Sequence, residues 1–436
     1  MLTESFDTIV IGAGAAGLGA AITLAQKTSG TVCMLEARDR VGGRVLTLQD
    51  DDAAGVLELG AEFIHGESPA TLSHLRMAGR EIMDAPQTRW MIRNSELKPA
   101  DVVFERMKQR LRRLRVPKRD LAFGEFLQRH QRELGASVSL LACMLVTGFD
   151  AADLDRVSTR DILKEWSGSS AADAPTFRPV GGYGALMQHL VAGLRSPRCE
   201  LRLGHAVTEV RWRRAKVDIA VSTHTGPARF QARRVIVTVP LSVLQGLSSA
   251  AIHFDPGLSR KRNALAAMAM GPVIKLLLQF REPFWESLQQ GRYRNAAFFL
   301  APGAAFPTCW TSLPIRNARL VAWAAGPAAA RLHGMNAEAM LDAALSSLRS
   351  VFGRQVPLRR LLRSFHWHDW QADPFSAGAY SYVRVGGESA HAALARPILD
   401  TLYFAGEACG AEESASVGGA LQSGIDTANR IASRDG

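Results

Sequence analysis

Three glycines near the N-terminus, Gly12, Gly14 and Gly17, have the GxGxxG spacing of a phosphate-binding turn. Apolar residues 8–11 predict a strand before them, and an alanine-rich run from Leu18 predicts a helix after them. In that context the first glycine allows a tight turn, the second lets backbone approach a pyrophosphate, and the third lets the helix pack on the strand. Free N–H groups at the helix N-terminus also favour an anion. The spacing therefore predicts a dinucleotide-binding site.

An acidic residue stands where such a site needs one. Glu36 ends a second predicted strand at residues 31–35, about 20 residues past the last glycine, as expected for a carboxylate that binds ribose hydroxyls. The segment RVGGR follows at residues 40–44. Glycines flanked by two arginines suit close approach to a phosphate and neutralisation of its charge. An ordinary strand–helix turn explains neither feature.

Further reactive residues occur in the C-terminal half. Lys275 lies within an otherwise apolar predicted strand, where a desolvated lysine is costly without a purpose, although a lysine at a strand end can also reach solvent. Aromatic residues gather near a turn at residues 370–382. Glu407 ends another strand, and a helix with small residues opens at residues 416–424. The positive N-terminus of that helix can stabilise negative charge on a ligand.

The elements that position these residues alternate between strand and helix, which predicts an α/β chain. Residues 86–200 have apolar positions at helical spacing and predict mostly helices. Strands are predicted at residues 200–203, 206–212, 217–221, 234–239, 273–280, 296–300, 320–324 and 402–407, and a helix at residues 337–352.

Composition limits the class of protein. The 436 residues suffice for two domains, and 47% hydrophobic and 21% charged residues are typical of a globular protein. We find neither an apolar run of transmembrane length nor a signal peptide. Five scattered cysteines without a CxxC pair favour neither disulfides nor a metal site. We expect a cytoplasmic protein without a metal, and the abundance of Ala and Arg is typical of bacterial proteins.

The formal net charge is +11, and much of the excess lies in residues 106–119. A solvated helix face is the simpler interpretation. A membrane surface, an acidic carrier protein or nucleic acid are the alternatives. No aromatic residue is interleaved with this run to stack on bases, which argues against nucleic acid as a partner.

Taken in order, these motifs resemble the flavin-containing amine oxidase family, which includes monoamine oxidases, polyamine oxidases and flavin-dependent histone lysine demethylases. The resemblance covers almost the whole chain and is closest to the polyamine oxidases. It rests on the glycine loop, Glu36, RVGGR, LGAEFIHG at residues 59–66, VTVP at 237–240, the Lys275 segment, DPFSAGAYS at 373–381 and FAGEA at 404–408.

The resemblance implies a Rossmann-like FAD domain of the two-dinucleotide-binding-domain type with an inserted α+β substrate domain. The FAD domain would comprise residues 1–85, 201–250 and 371–436. The substrate domain would comprise residues 86–200, mostly helical, and 251–370, a mixed sheet. The implied FAD-binding residues are Gly12, Gly14, Ala15, Ala16, Gly17, Glu36, Ala37, Arg38, Gly43, Arg44, Gly60, Ala61, Glu62, Val207, Gly406, Glu407, Ser416 and Val417.

Four residues are implied to act on the substrate or on oxygen. Lys275 matches the family lysine that holds a water near the flavin and assists reaction with oxygen. Trp370 and Tyr380 match aromatic positions beside the flavin, where rings can sandwich an amine, with core packing as the alternative. His65 matches a polyamine oxidase histidine that hydrogen-bonds the substrate nitrogen, with a purely structural histidine as the alternative.

Three departures from family patterns refine this prediction. Ala379 stands where monoamine oxidases carry the cysteine that links to the flavin, so we expect non-covalent FAD. Ser416 replaces the second tyrosine of the monoamine oxidase cage. Phe63 stands where amino-acid oxidases place an arginine for the substrate carboxylate, which argues against an amino-acid substrate.

The resemblance thus implies oxidation of a small-molecule amine with O2 as the final oxidant. Acidic residues near the expected entrance could attract a second ammonium group: Glu62, Asp373, Glu412 and Glu413. A flavin desaturase or oxidase of a biosynthetic intermediate and a non-catalytic FAD-bearing interaction protein are the alternatives. The particular amine and the oligomeric state are not fixed by these motifs.

Overall fold

A computed structural model describes residues 3–49, 55–167, 175–410 and 413–435. The strands are β1 Glu4–Ile11, β2 Val32–Leu35, β3 Thr47–Gln49, β4 Val56–Glu58, β5 Ile64–His65, β6 Ile82–Asp84, β7 Arg89–Arg93, β8 Glu96–Pro99, β9 Thr176–Pro179, β10 Cys199–Arg202, β11 Ala206–Arg213, β12 Lys216–Thr223, β13 Gly226–Val237, β14 His253–Asp255, β15 Met268–Gly271, β16 Val273–Phe280, β17 Phe298–Leu300, β18 Thr308–Thr311, β19 Arg319–Ala325, β20 Leu362–Asp369, β21 Tyr380–Val383 and β22 Leu402–Phe404. The helices are α1 Ala15–Lys27, α2 Pro69–Met77, α3 Asp101–Arg113, α4 Phe123–Arg129, α5 Gln131–Leu134, α6 Ala136–Gly148, α7 Thr159–Ser167, α8 Tyr183–Ala192, α9 Leu241–Leu244, α10 Arg262–Ala266, α11 Pro327–Leu332, α12 Ala337–Phe352, α13 Leu358–Leu361, α14 Ala390–Ala395 and α15 Val417–Asp435.

The larger sheet has the strand order β10-β2-β1-β13-β12-β11-β14, and β22 also pairs with β13. Strands β10, β2, β1, β13 and β22 run parallel, so their carboxyl ends meet at one edge. These strands are apolar on both faces because both faces are covered. Val10 of β1 packs with residues of α1, α8 and α15, and Ile9 packs on the other face with residues of β11 and β12. The edge is where the glycine turn after β1 and the turn after β22 come together.

The first and last helices pack against each other across one face of this sheet. Small residues allow the close approach: a Cβ on Gly424 of α15 would overlap the carbonyl oxygen of Ala16 in α1. Leu18 and Leu421 are buried in the same cluster. The C-terminal helix therefore packs directly on the helix that follows the N-terminal glycine turn.

The second sheet has the order β20-β16-β19-β18-β17-β7-β8. Alternate residues of β16, including Ile274 and Leu276, pack into a core with α12. Because successive side chains in a strand point to opposite faces, Lys275 points away from that core, on the face of Val273 and Leu277. This face lines the interior between the two sheets.

Helices α3 to α7 form a third layer with its own apolar core, which includes Phe123 and Leu141. The predicted strand at residues 273–280 and the predicted helix at residues 337–352 have these bounds in the structure. The hairpin β7–β8, which turns at Asn94 and Ser95 with positive φ at both, was missed within the segment predicted as mostly helical. Within the described ranges, no helix has the length and apolarity needed to cross a membrane. The predicted division into domains stays a prediction.

Candidate active site

A cavity of about 1210 Å³ lies between the two sheets and extends to the carboxyl edge of the parallel strands. Of the residues predicted for the site, every one except Gly17 lines it. They are Gly12, Gly14, Ala15, Ala16, Glu36, Ala37, Arg38, Gly43, Arg44, Gly60, Ala61, Glu62, His65, Val207, Lys275, Trp370, Tyr380, Gly406, Glu407, Ser416 and Val417. Segments far apart in the chain thus share one enclosed space.

The glycine turn gives the cavity a wall without side chains. Gly12 has a φ of +103°, which favours glycine, and Gly17 lies so close to it that a Cβ on Gly17 would overlap the carbonyl oxygen of Gly12. A Cβ on Gly14 would meet nothing nearer than the Gly42 carbonyl oxygen at 3.9 Å. No side chain caps α1 at Gly14, so its first N–H groups are available to an anion. This wall fits the pyrophosphate of a dinucleotide.

Glu36 is held in place by the backbone around it. Its Oε2 accepts from the N–H of Ala13 at 2.7 Å, and its Oε1 accepts from the N–H of Arg38 at 2.9 Å. A carboxylate offers about four acceptor positions, so both oxygens retain capacity for ribose hydroxyls. Arg38 in turn donates to Asp373 at 2.6 Å and to Ser376 at 3.0 Å.

The two arginines of the RVGGR segment have different surroundings. Arg40 donates to the carbonyl oxygens of Val41, Gly43 and Val45, so it stabilises its own turn. Arg44 faces the cavity and donates to the Ala379 carbonyl oxygen at 2.6 Å and to Glu407 at 2.9 Å. The sequence prediction that both arginines neutralise a phosphate therefore fits Arg44 better than Arg40.

The C-terminal wall comes from Glu407 and the start of α15. Glu407 also accepts from the N–H and the hydroxyl of Ser381, at 3.2 and 2.7 Å. Ser416 accepts from the N–H of Gly419 at 2.9 Å, which makes it the N-cap of α15. The helix N-terminus at Val417 therefore faces the cavity, as the sequence predicts.

Lys275 is 1% exposed and belongs to a buried group of charges. Its Nζ donates to Glu62 Oε2 at 2.6 Å and to the Gly60 carbonyl oxygen at 3.1 Å. Glu62 also pairs with Arg178 and accepts from the indole N–H of Trp310 at 3.1 Å. Burial alone would raise the pKa of Glu62, but the charges of Arg178 and Lys275 lower it to about 2. Two cations thus share one carboxylate that is ionised at pH 7.

The aromatic wall consists of Trp370 and Tyr380. Trp370 is nearly buried and donates its indole N–H to the Leu59 carbonyl oxygen at 3.1 Å. Tyr380 donates its hydroxyl to the Phe149 carbonyl oxygen at 2.6 Å. Each hydrogen bond anchors its ring, and both rings line the same cavity as Lys275.

The side chain of His65 is exposed to the cavity. Desolvation by the protein atoms around the ring lowers the pKa of His65 to about 4, so its ring is neutral at pH 7. The ring packs against Phe63 and Phe149, with centroid distances of 5.9 and 5.1 Å. A neutral imidazole at this position can accept or donate one hydrogen bond to a ligand.

Of the acids predicted to attract a second ammonium group, three already have partners. Glu62 pairs with two cations, Asp373 pairs with Arg38, and Glu413 accepts from Ser68 at 2.9 Å. Glu412 lies outside the described residues. Burial would raise the pKa of Asp373, but hydrogen bonds from His368 and Arg38 lower it well below its usual range.

Sequence reasoning missed Arg178 and Trp310, which complete the charge group around Glu62. It also missed Asp150 and Glu165, two acids that line the cavity near Tyr380. None of these residues stands in a recognisable motif. Pairing of β5 and β6 with β9 places Arg178 near the cavity, and a long-range pairing of this kind has no local signal.

Comparison with known proteins places this geometry in context. The family model described as flavin containing amine oxidoreductase matches residues 15–432. Polyamine oxidase 4 of Oryza sativa subsp. japonica is 29% identical, over 98% of this chain and 89% of that protein. Lysine-specific histone demethylase 2 of Homo sapiens is also 29% identical, over 98% of this chain, which spans 53% of the demethylase.

Solved structures show the same fold. Wild-type putrescine oxidase bound to putrescine is 22% identical with a TM-score of 0.82, over 99% of this chain and 100% of that one. Cyclohexylamine oxidase from Brevibacterium oxydans IH-35A is 19% identical with a TM-score of 0.79, over 98% of this chain and 99% of that one. These likenesses confirm the predicted α/β fold class. The roles of individual residues stay predictions.

Proposed function

The chain belongs to the family of flavin containing amine oxidoreductases, and from this premise we propose that it oxidises a primary amine, a secondary amine or a polyamine to an imine. The imine then hydrolyses to an aldehyde and an amine or ammonia. The two electrons and two protons that leave the substrate reduce O2 to H2O2. Membership confirms the predicted family, the oxidoreductase class and the flavin cofactor.

One observation carries the proposal: the nucleotide groove, the buried Lys275 and the ring wall of Trp370 and Tyr380 line a single cavity. Bound FAD supplies the acceptor for the two electrons. The residues named above at the glycine turn, Glu36, Arg44 and the α15 N-terminus would hold it. Ala379 leaves no thiol at the family attachment position, which supports non-covalent binding.

The chain itself contributes orientation and a fixed electrostatic environment. Rings that are anchored by hydrogen bonds restrict where an amine lies. Neutral His65 can hydrogen-bond the substrate nitrogen without adding a positive charge that would repel it. The Lys275 ammonium, whose third N–H is not used by Glu62 or Gly60, places positive charge where oxygen becomes reduced.

The surroundings of Phe63 bear on the substrate class. Phe63 contacts Trp310 and the guanidinium of Arg178, which is paired with Glu62. That arginine is therefore occupied and does not offer a substrate carboxylate a free cation beside Phe63. This supports an amine over an amino acid. The free thiols of Cys33 and the four other cysteines suit a reducing compartment such as the cytoplasm.

A peroxide-coupled screen over monoamines, diamines and polyamines, with amino acids as the contrast set, tests this function. We expect H2O2 from amines and bleaching of the flavin by the same amines without oxygen. Purified protein that stays colourless after reconstitution with FAD, or a flavin that no amine bleaches, would contradict the proposal. Bleaching by a non-amine intermediate would favour a desaturase.

A further inference from the structure

One aromatic side chain that the sequence did not single out is exposed inside the cavity. Phe149 directly follows α6 and is 48% exposed. Of the exposed large apolar residues in the described ranges, Val116 and Phe149 alone line the cavity, and only Phe149 is aromatic. Because burial of apolar surface is favourable, such a ring gains contacts when a ligand fills the cavity beside it.

Helix α6 forms one wall of the cavity. Residues spaced three and four apart lie on one helix face, and the cavity-lining residues of this wall have that spacing: Leu141, Met144, Leu145, Gly148 and Phe149. Gly148 has no side chain, and a Cβ there would come no closer than 3.9 Å to a neighbouring atom, the hydroxyl oxygen of Thr308. The side chain that projects from the C-terminal end of this wall is therefore that of Phe149.

The backbone of Phe149 is held in place. Its N–H donates to the Leu145 carbonyl oxygen at 2.7 Å, and its carbonyl oxygen accepts from the Tyr380 hydroxyl at 2.6 Å. Two residues further on, the chain packs so closely that a Cβ on Gly271 would overlap the Ala151 carbonyl oxygen. These contacts fix the point from which the ring projects, so the main chain does not yield to a wider ligand.

The Phe149 ring lies beside the groups proposed to contact the substrate. Its centroid is 5.1 Å from that of His65, with the two ring planes 75° apart. Tyr380 lies close by, since its hydroxyl reaches the Phe149 carbonyl oxygen. A substituent on the carbon that carries the substrate nitrogen therefore competes with this ring for space.

We propose that Phe149 sets the width of the cavity beside His65 and Tyr380 and thereby selects amines whose reacting carbon is unbranched, an inference that rests on the proposed amine oxidation. A branch on that carbon would overlap the ring or displace it from His65. An unbranched chain leaves the ring in place and covers its exposed face. Because this exclusion acts on branched amines only, it changes the ratio of the rates for the two kinds of amine.

Two primary amines with six carbons test this role: hexylamine, which is unbranched at the reacting carbon, and cyclohexylamine, which is branched there. The second-order rate constant of flavin bleaching is measured for each with the holoenzyme in the absence of oxygen. Phe149→Leu and Phe149→Ala widen the cavity in two steps and keep the carbonyl group that anchors Tyr380. Leu140→Ala, which truncates an exposed side chain of α6 outside the cavity, is the matched control.

The wild type should prefer hexylamine. Phe149→Ala should raise the cyclohexylamine-to-hexylamine ratio of the rate constants by roughly 10- to 100-fold, Phe149→Leu should raise it less, and Leu140→Ala should leave it unchanged. No preference for hexylamine in the wild type, or a ratio that Phe149→Ala does not raise, would overturn the proposal, since a general loss of packing slows both amines alike. If the wild-type flavin is bleached by no amine of the wider screen, the proposed function fails instead.

Discussion

Glu62 stands between two cations that would otherwise repel each other. Lys275 and Arg178 both contact its carboxylate, and Trp310 donates to it. The sequence places Glu62 among the residues around the cofactor but does not reveal either pairing. Removing the carboxylate charge would leave two buried cations without an anion, which is more costly than losing a surface ion pair.

We expect Glu62→Gln to lower the free energy of unfolding at pH 7 by about 3–5 kcal/mol. The pKa of Glu62 is about 2 in the folded protein, against an ordinary value of 4.5 that applies to the unfolded chain. Between these two pH values the folded state therefore binds fewer protons than the unfolded state. Its contribution is present above pH 4.5 and is lost as the pH falls towards 2. Urea unfolding at several pH values measures this.

The exposed pair Glu125–Arg129 on α4 supplies the control. Glu125→Gln should change the unfolding free energy by less than about 1 kcal/mol at pH 7. If both variants lose a similar amount of unfolding free energy, the buried ion pairs of Glu62 contribute no more to stability than an exposed pair.

The proposed role of Lys275 in the reaction with oxygen can be tested separately from FAD binding. We expect Lys275→Met to retain FAD, because it leaves the glycine turn, Glu36 and Arg44 unchanged, and to slow reoxidation of the reduced flavin by oxygen by roughly 10²-fold. Stopped-flow mixing of the reduced enzyme with oxygen measures the rate.

Lys261 provides a matched buried lysine outside the cavity. Its Nζ donates to the carbonyl oxygens of Ala393 and Leu394, both at 2.8 Å. Lys261→Met should reduce stability and leave reoxidation unchanged. If Lys275→Met reoxidises at the wild-type rate, Lys275 does not have the role assigned to it.

At the scale of elements, regular apolar patterns are what the sequence predicts best. The strand β16 and the helix α12 are dictated by local periodicity, and the turn after β1 by its glycines. The hairpin β7–β8 depends on pairing with β17, which lies about 200 residues further on. The position of Asp150 depends similarly on how α6 and α7 pack. Contacts between residues so far apart in the chain cannot be predicted from a short window of sequence.

The turn between β1 and α1 offers a test in which two neighbouring glycines act differently. Gly17→Ala should destabilise the protein, because the new Cβ overlaps the Gly12 carbonyl oxygen, a backbone atom. Gly14 has φ −80° and ψ −175°, which alanine adopts readily, and its Cβ would make only an ordinary van der Waals contact, 3.9 Å from the Gly42 carbonyl oxygen. Gly14→Ala should therefore keep apoprotein stability and weaken FAD binding.

Thermal unfolding of the apoproteins and FAD titration separate these two effects. We expect the free energy of unfolding to fall by about 1–3 kcal/mol in Gly17→Ala and by less than about 0.5 kcal/mol in Gly14→Ala. Relative to the stability that each variant loses, the loss of FAD affinity should be larger in Gly14→Ala. Undiminished FAD affinity in Gly14→Ala would mean that the pyrophosphate does not lie on this turn.

At the scale of the molecule, the cavity joins parts of the chain that are far apart in sequence. Arg38 pairs with Asp373, and Arg44 pairs with Glu407, so the N-terminal segment and the C-terminal wall are linked by ion pairs across the cavity edge. A dinucleotide in this groove would contact both segments. Its binding energy would then stabilise the whole fold and not the first nucleotide-binding segment alone.

We therefore expect FAD to raise the free energy of unfolding by about 2.7 kcal/mol at a free concentration 100 times its dissociation constant. Hydrogen exchange should slow on FAD binding in three separate regions: residues 12–17, the segment 60–62 and residues 406–417. Protection confined to residues 12–17 would show that the cofactor does not bridge the two walls. Adding AMP alone provides the control, because it should protect the region around Glu36 and leave residues 406–417 unchanged.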